Sequence, residues 1–103
     1  MTENVYQAKL IRKLKRMFPG CVIMKNDSQY IQGMLDLTIL YRDRWALLEA
    51  KASADAAERP NQRYYQEVLD DMSFAAFIYP ENEEEVLAAL QEAFTSRGAA
   101  RVS

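Results

Sequence analysis

The strongest constraint in this chain is a pair of short apolar runs, Leu37–Tyr41 and Trp45–Leu48, separated only by Arg42-Asp43-Arg44. Both are rich in β-branched, aromatic and large aliphatic residues, which is the composition of strands. So short a break implies an antiparallel hairpin, since parallel strands need a long crossover. With the turn centred on Arg42 and Asp43, Tyr41 pairs with Arg44, and counting outward sets Asp36 opposite Glu49. Opposed residues share a face, with Cβ atoms about 4.5–5.5 Å apart. Strand alternation then returns Lys51 to the same face. Arg-Asp is not a favoured turn pair, and a slip of one residue would reverse the relationship.

Two carboxylates this close repel, and one is pushed toward protonation unless a cation lies between them. Mg²⁺ or Mn²⁺ resolves the conflict, because both accept hard oxygen ligands and leave room for waters and phosphate oxygens. Asp36, Glu49 and the Ala50 backbone carbonyl would form half of such a shell. Lys51 would position or deprotonate an attacking water, or neutralise charge on a phosphate. The plainer reading is that an acidic-x-Lys triplet arises by chance about once per one or two hundred residues. Polar residues at strand ends are also ordinary solubilising flanks. Placement strengthens the functional reading: Gly33 lies just before Leu35-Asp36, and an apolar run leads straight into Glu49.

Gly33-x-x-Asp36, Glu49-x-Lys51 and a downstream Gln62 resemble the PD-(D/E)XK nuclease superfamily, in particular its small VRR-NUC branch. The resemblance covers roughly residues 3 to 90. Leu35 stands where that family often has Pro, a residue that stiffens the approach to the Asp but carries no chemistry. The resemblance implies an α/β fold with the PD-(D/E)XK core, α-β-β-β-α-β-α, and a mixed four-stranded sheet flanked by helices. It also implies metal-dependent hydrolysis of DNA, with Glu3 on the first helix joining the metal site and Gln62 near the active site. Small relatives of this kind include Holliday-junction resolvases, and phages and other mobile elements encode many of them.

The rest of the composition narrows the chemistry further. A chain of 103 residues is large enough for one core without disulfides. It has no histidine, which excludes Ser-His-Asp and Cys-His machinery and His-ligated zinc. Its single cysteine, Cys21, excludes an internal disulfide framework and reads as a buried structural thiol. No apolar run has the length of a membrane span and no signal-peptide layout opens the chain. The expectation is a cytoplasmic protein, in the host cytoplasm if phage-encoded. A net charge of −2 does not advertise a nucleic-acid binder, so distribution matters more than the sum.

Residues 3 to 18 read as an amphipathic helix capped by Thr2, with Tyr6, Leu10, Leu14, Met17 and Phe18 as its stripe. Glu3 and Gln7 fall on that stripe and face the sheet; otherwise Glu3 serves only the helix dipole. Lys9, Arg12, Lys13 and Arg16 form a separate basic stripe, either a track for a phosphate backbone or a solvated face. Pro19-Gly20 ends the helix and Cys21–Lys25 follows as a strand, its Lys25 either contacting phosphate or simply solvated. Tyr30 and Ile31 are expected in the core, and Gly33 supplies backbone freedom before Asp36. A loop or ragged helix start spans 52–59. Pro60 then sits in the first turn of a helix running to Met72, with Tyr64, Tyr65, Val68, Leu69 and Met72 inward. Phe74–Tyr79 reads as a buried strand. Asn82 and Glu85 suggest a capping box for a last helix buried through Val86, Leu87, Leu90, Ala93 and Phe94. Residues 1–95 form one domain and 96–103 a flexible tail.

The reading these signals favour is a divalent-metal-dependent DNA endonuclease, selective for branched DNA of the Holliday-junction type, acting as a homodimer on branched or duplex DNA. One alternative is a general nicking or trimming subunit of a larger complex. Another is a non-catalytic DNA-binding or assembly module on a nuclease fold. A third is a small interaction protein whose triad is accidental.

Overall fold

The computed structural model describes residues 1–96 of the chain. Helix α1 (Glu3–Met17) is followed by strands β1 (Val22–Lys25), β2 (Leu37–Tyr41) and β3 (Arg44–Ala50). Helix α2 (Gln62–Met72), strand β4 (Ala75–Ile78) and helix α3 (Glu83–Thr95) complete the described order. The four strands form one mixed sheet in the order β1-β2-β3-β4, antiparallel until β4, which runs parallel to β3. Parallel pairing requires a crossover, and the segment carrying α2 supplies it.

The hairpin has the expected register, with Tyr41 opposite Arg44 and Leu37 opposite Leu48. Arg42 makes the turn by taking φ +57°, a left-handed conformation that costs a non-glycine residue energy. Its guanidinium lies over the Tyr41 ring, 4.9 Å from the centroid, a cation–π contact that offsets part of the cost.

Pleating divides the sheet's side chains between two layers. Leu37, Ile39, Tyr41, Ala46, Leu48 and Ala50 point toward α1 and α3, meeting Tyr6, Leu10, Leu14, Phe18, Leu87, Leu90 and Phe94. Phe18, Tyr41 and Phe94 form an aromatic trio with centroids 5.0 to 5.7 Å apart. A smaller cluster of Leu35, Leu47 and Ala75 lies on the opposite face, beneath Tyr65 and Leu69 of α2. Helix α2 packs on β3 and β4. Val22, Met24 and Leu40, toward the β1 edge, remain exposed.

Thr2 caps α1 by accepting the Val5 N–H, as its position suggests. Other expectations need correction. Tyr30 is 85% exposed rather than in the core, because the loop before β2 turns it outward. Pro60 precedes α2 instead of occupying its first turn: Asn61 takes φ +69° as the N-cap, so the helix starts at Gln62. Tyr64 and Met72 are exposed, which narrows the inward face of α2 to Gln62, Tyr65, Gln66, Val68 and Leu69. Asn82 forms no side-chain cap and hence no capping box. It ties down the end of β4 instead, accepting the Tyr79 N–H and donating to the Phe77 carbonyl. Cys21 is only half-buried. Ser96 is the C-cap of α3, and the rest of the expected tail lies outside the described residues. No helix among the described residues is long and apolar enough to cross a membrane.

Candidate functional site

The α2-facing side of the sheet should be apolar, yet its far end holds Glu49, Lys51 and Gln62, at 0%, 5% and 0% exposure. Groups of this kind are almost never buried without partners. Each is placed by a different element. Glu49 is the sixth residue of β3 and Lys51 follows its end, so the pleat aims both to one side. Gln62 opens α2 beneath them. Asp36, half-buried, stands directly before β2 and opposite Glu49.

Glu49 is held at both oxygens. Its Oε1 accepts the Asp36 backbone N–H at 3.0 Å. Its Oε2 lies 3.6 Å from Lys51 Nζ and 3.2 Å from an Arg59 guanidinium nitrogen. The same Arg59 nitrogen is 3.5 Å from Asp36 Oδ1. Burial, followed by the Asp36 charge, pushes the Glu49 carboxyl up to about 7, against the opposing pull of Lys51 and Arg59. Two cations are therefore not enough to keep it in the usual carboxylate range.

Lys51 Nζ donates to Gln62 Oε1 at 2.9 Å and to the Ala57 carbonyl at 3.0 Å. Gln62 Oε1 also accepts the Arg59 backbone N–H at 2.8 Å. Gln62 Nε2 is buried with no hydrogen-bond partner, the sole such side-chain atom among the described residues. An orphaned buried donor of this type costs about 1–3 kcal/mol.

Glu3 completes the acidic group from α1. Oxygens of Glu3, Asp36 and Glu49 lie within 4.8 Å of one another, close enough to hold one cation. This donor set, all carboxylate oxygen and drawn from three separate segments, fits a hard divalent ion such as Mg²⁺ or Mn²⁺. Ala50, between Glu49 and Lys51, is fully buried and paired with Ile78.

The approach to Asp36 is fixed from two sides. Asn26 donates from its amide to the Leu35 carbonyl and from its backbone to the Asp36 carbonyl, and it accepts the Thr38 hydroxyl. Leu35 itself is fully buried in the smaller core cluster. Gly33 takes φ +92° and packs so tightly on the next segment that an added Cβ would meet Asn61 Cβ and the Pro60 carbonyl at 2.6 Å. The segment carrying Asp36 thus touches the segment that launches Gln62.

The basic residues are less uniform than their spacing suggests. Lys9, Arg12 and Arg16 are exposed, but Lys13 is paired with Glu83 and is not a free cation. Burial works against ionisation of Glu83, yet the Lys13 and Tyr6 hydrogen bonds outweigh it and hold the carboxyl below its usual range. Lys25 is exposed at the end of β1 and joins no ion pair among the described residues.

Sequence reasoning singled out Glu3, Asp36, Glu49, Lys51 and Gln62, and the structure brings all five together. It missed Arg59, which sits in a loop with no periodicity to mark it, and Asn26, whose polar turn gave no sign of reaching Asp36. In comparisons with known proteins, no family model, curated protein or solved structure matches the chain.

Proposed function

We propose that this protein is a divalent-metal-dependent DNA endonuclease with a PD-(D/E)XK core of the VRR-NUC kind. The observation that carries the reading is the gathering of Asp36, Glu49, Lys51 and Gln62 at one end of the sheet face, three of them at most 5% exposed. A binding or assembly module needs no buried carboxylate beside a buried lysine, and such a pair is a poor source of stability.

Glu3, Asp36 and Glu49 would hold Mg²⁺ or Mn²⁺, with the Ala50 carbonyl beside them. The bound ion would lower the pKa of a coordinated water and offset charge on the phosphate. The chain's own part is positional and electrostatic. Asp36 and Glu49 are kept opposed by the hairpin and by the Asp36 N–H to Glu49 Oε1 bond. Lys51 faces acceptors on Ala57, Gln62 and Glu49, so its ammonium acts as a donor in this arrangement. That favours stabilising charge on the phosphate over abstracting a proton. Gln62 orients Lys51 through Oε1.

A domain this small has little surface for reading base sequence, so recognition of backbone and shape fits it better. Branched DNA, including a four-way junction, is the substrate class this favours. A homodimer would place two cuts symmetrically on such a junction.

The test is cleavage of labelled four-way junction, flap and linear duplex DNA by wild type, Asp36→Ala and Lys51→Ala, with Mg²⁺, Mn²⁺ or EDTA. Metal-dependent cutting lost in both variants is the expected result. A folded wild type that cuts none of these substrates and binds no metal would overturn the proposal.

A further inference from the structure

One nitrogen of the Arg59 guanidinium spans the two opposed carboxylates, 3.2 Å from Glu49 Oε2 and 3.5 Å from Asp36 Oδ1. It stands where an acidic pair calls for a cation. Yet the contact is a loose one. Charge-assisted hydrogen bonds normally run about 2.7–2.9 Å, and arginine binds a carboxylate best through two parallel bonds. Here the fork offers one nitrogen to two carboxylates, at long range to both.

The residue's anchorage is equally lopsided. Its backbone N–H donates to the buried Gln62 Oε1 at 2.8 Å, which fixes the main chain. Its side chain is 51% exposed and has no other bond among the described residues. Lys51 differs on both counts: it is 5% exposed and donates to a backbone carbonyl and a side-chain amide. One cation is built in, and the other is hinged at a fixed backbone with open solvent on its outer side.

We propose that Arg59 is a displaceable counter-ion, neutralising Asp36 and Glu49 in the metal-free protein and expelled when a divalent ion enters between them. This rests on the reading of the site as a nuclease metal centre. A guanidinium and a divalent ion cannot share the same two carboxylates without strong repulsion, and the long contacts leave little to hold the arginine back. The arginine keeps the acidic pair together without metal, and it weakens apparent metal affinity by occupying the site.

The experiment is a calorimetric Mn²⁺ titration of the full chain as wild type, Arg59→Gln and Arg59→Gln with Asp36→Ala. Mg²⁺ titration of the wild type would be followed by NMR at the Arg59 Nε–Hε resonance, assigned by its loss in Arg59→Gln. The expected result is that Arg59→Gln binds Mn²⁺ roughly three- to tenfold more tightly than wild type. That binding should be lost with Asp36→Ala, and the Arg59 resonance should move on adding Mg²⁺. Wild-type binding with equal or tighter affinity than Arg59→Gln, or with an unmoved resonance, would overturn the counter-ion role and leave the nuclease reading standing. Binding that survives Asp36→Ala would overturn it as well. Absence of Mn²⁺ binding in both wild type and Arg59→Gln would overturn both readings.

Discussion

Glu49 accepts the backbone N–H of Asp36 at 3.0 Å, so the two acidic residues are joined by a bond that does not involve the Asp36 carboxylate. The hairpin therefore sets their separation without using the Asp36 oxygens, one of which faces Arg59 at 3.5 Å. What it cannot do is make the buried Glu49 comfortable as an anion.

That discomfort has a pH signature. The Glu49 carboxyl rises from an ordinary 4.5 to about 7 in the fold, chiefly through burial and then the Asp36 charge. Between those values the folded protein holds a proton that the unfolded chain has released, so stability falls as pH rises through the window. Thermal melts of metal-free wild type should show a lower Tm at pH 7.5 than at pH 5, to an extent that shrinks in Glu49→Gln. An identical pH slope in both proteins would refute the assignment.

Gly33 offers a geometric test with a built-in control. Gly33→Ala combines a left-handed backbone with a Cβ 2.6 Å from Asn61 and Pro60, and should cost about 2–4 kcal/mol in urea denaturation. Gly20 has φ +88° but nothing within 4 Å of an added Cβ, so Gly20→Ala should cost only about 1–2 kcal/mol. Equal losses would mean that the contact with the Pro60–Asn61 segment matters little.

Gln62→Leu keeps the bulk of a fully buried side chain but removes the acceptor shared by Lys51 and the Arg59 N–H. It also removes the orphaned Nε2 donor, which limits the net loss to about 1–2 kcal/mol. If the proposed activity holds, kcat should fall roughly 10- to 100-fold with KM little changed, because Lys51 loses its orientation. A variant that is less stable but cleaves at the wild-type rate would remove Gln62 from the machinery.

The basic stripe divides into free and occupied cations. Arg12→Ala should weaken DNA binding and reduce the salt slope by about 1 if the stripe meets phosphates. Lys13→Ala breaks the pair with Glu83 and should shift stability by about 1 kcal/mol or less, with a smaller change in the salt slope. Equal slopes for both variants would show that the pairing does not withhold Lys13 from the nucleic acid.

Much of this architecture was legible because its signals were local. The hairpin register followed from a short turn between strand-like runs, and the Thr2 cap from one hydroxyl before a periodic segment. Opposition of Asp36 and Glu49 came directly from that count. The failures come from loop conformations and side-chain contacts that no periodicity encodes. Tyr30 is apolar in letter but lies in a loop that turns it outward, and no periodicity there could say so. Asn82 has the chemistry of a cap, but the end of β4 claims its side chain first. Asn61 enters a left-handed conformation that no dipeptide rule demands, and this shifts the start of α2 to Gln62. Arg59 becomes meaningful only once the loop before α2 folds back over β3.

The contact of Gly33 with Pro60 and Asn61 also bears on the order in which the molecule assembles. The β2–β3 hairpin closes a very short loop and can form early, so Asp36 and Glu49 meet at little entropic cost. Gln62 and Arg59 arrive only when the crossover docks across a much longer separation, and long-range closure is slow. A chain caught between these events carries two opposed carboxylates with neither Arg59 nor Gln62 beside them. Docking of the crossover is therefore the step that completes the polar cluster, and the hairpin alone supplies only its acidic half.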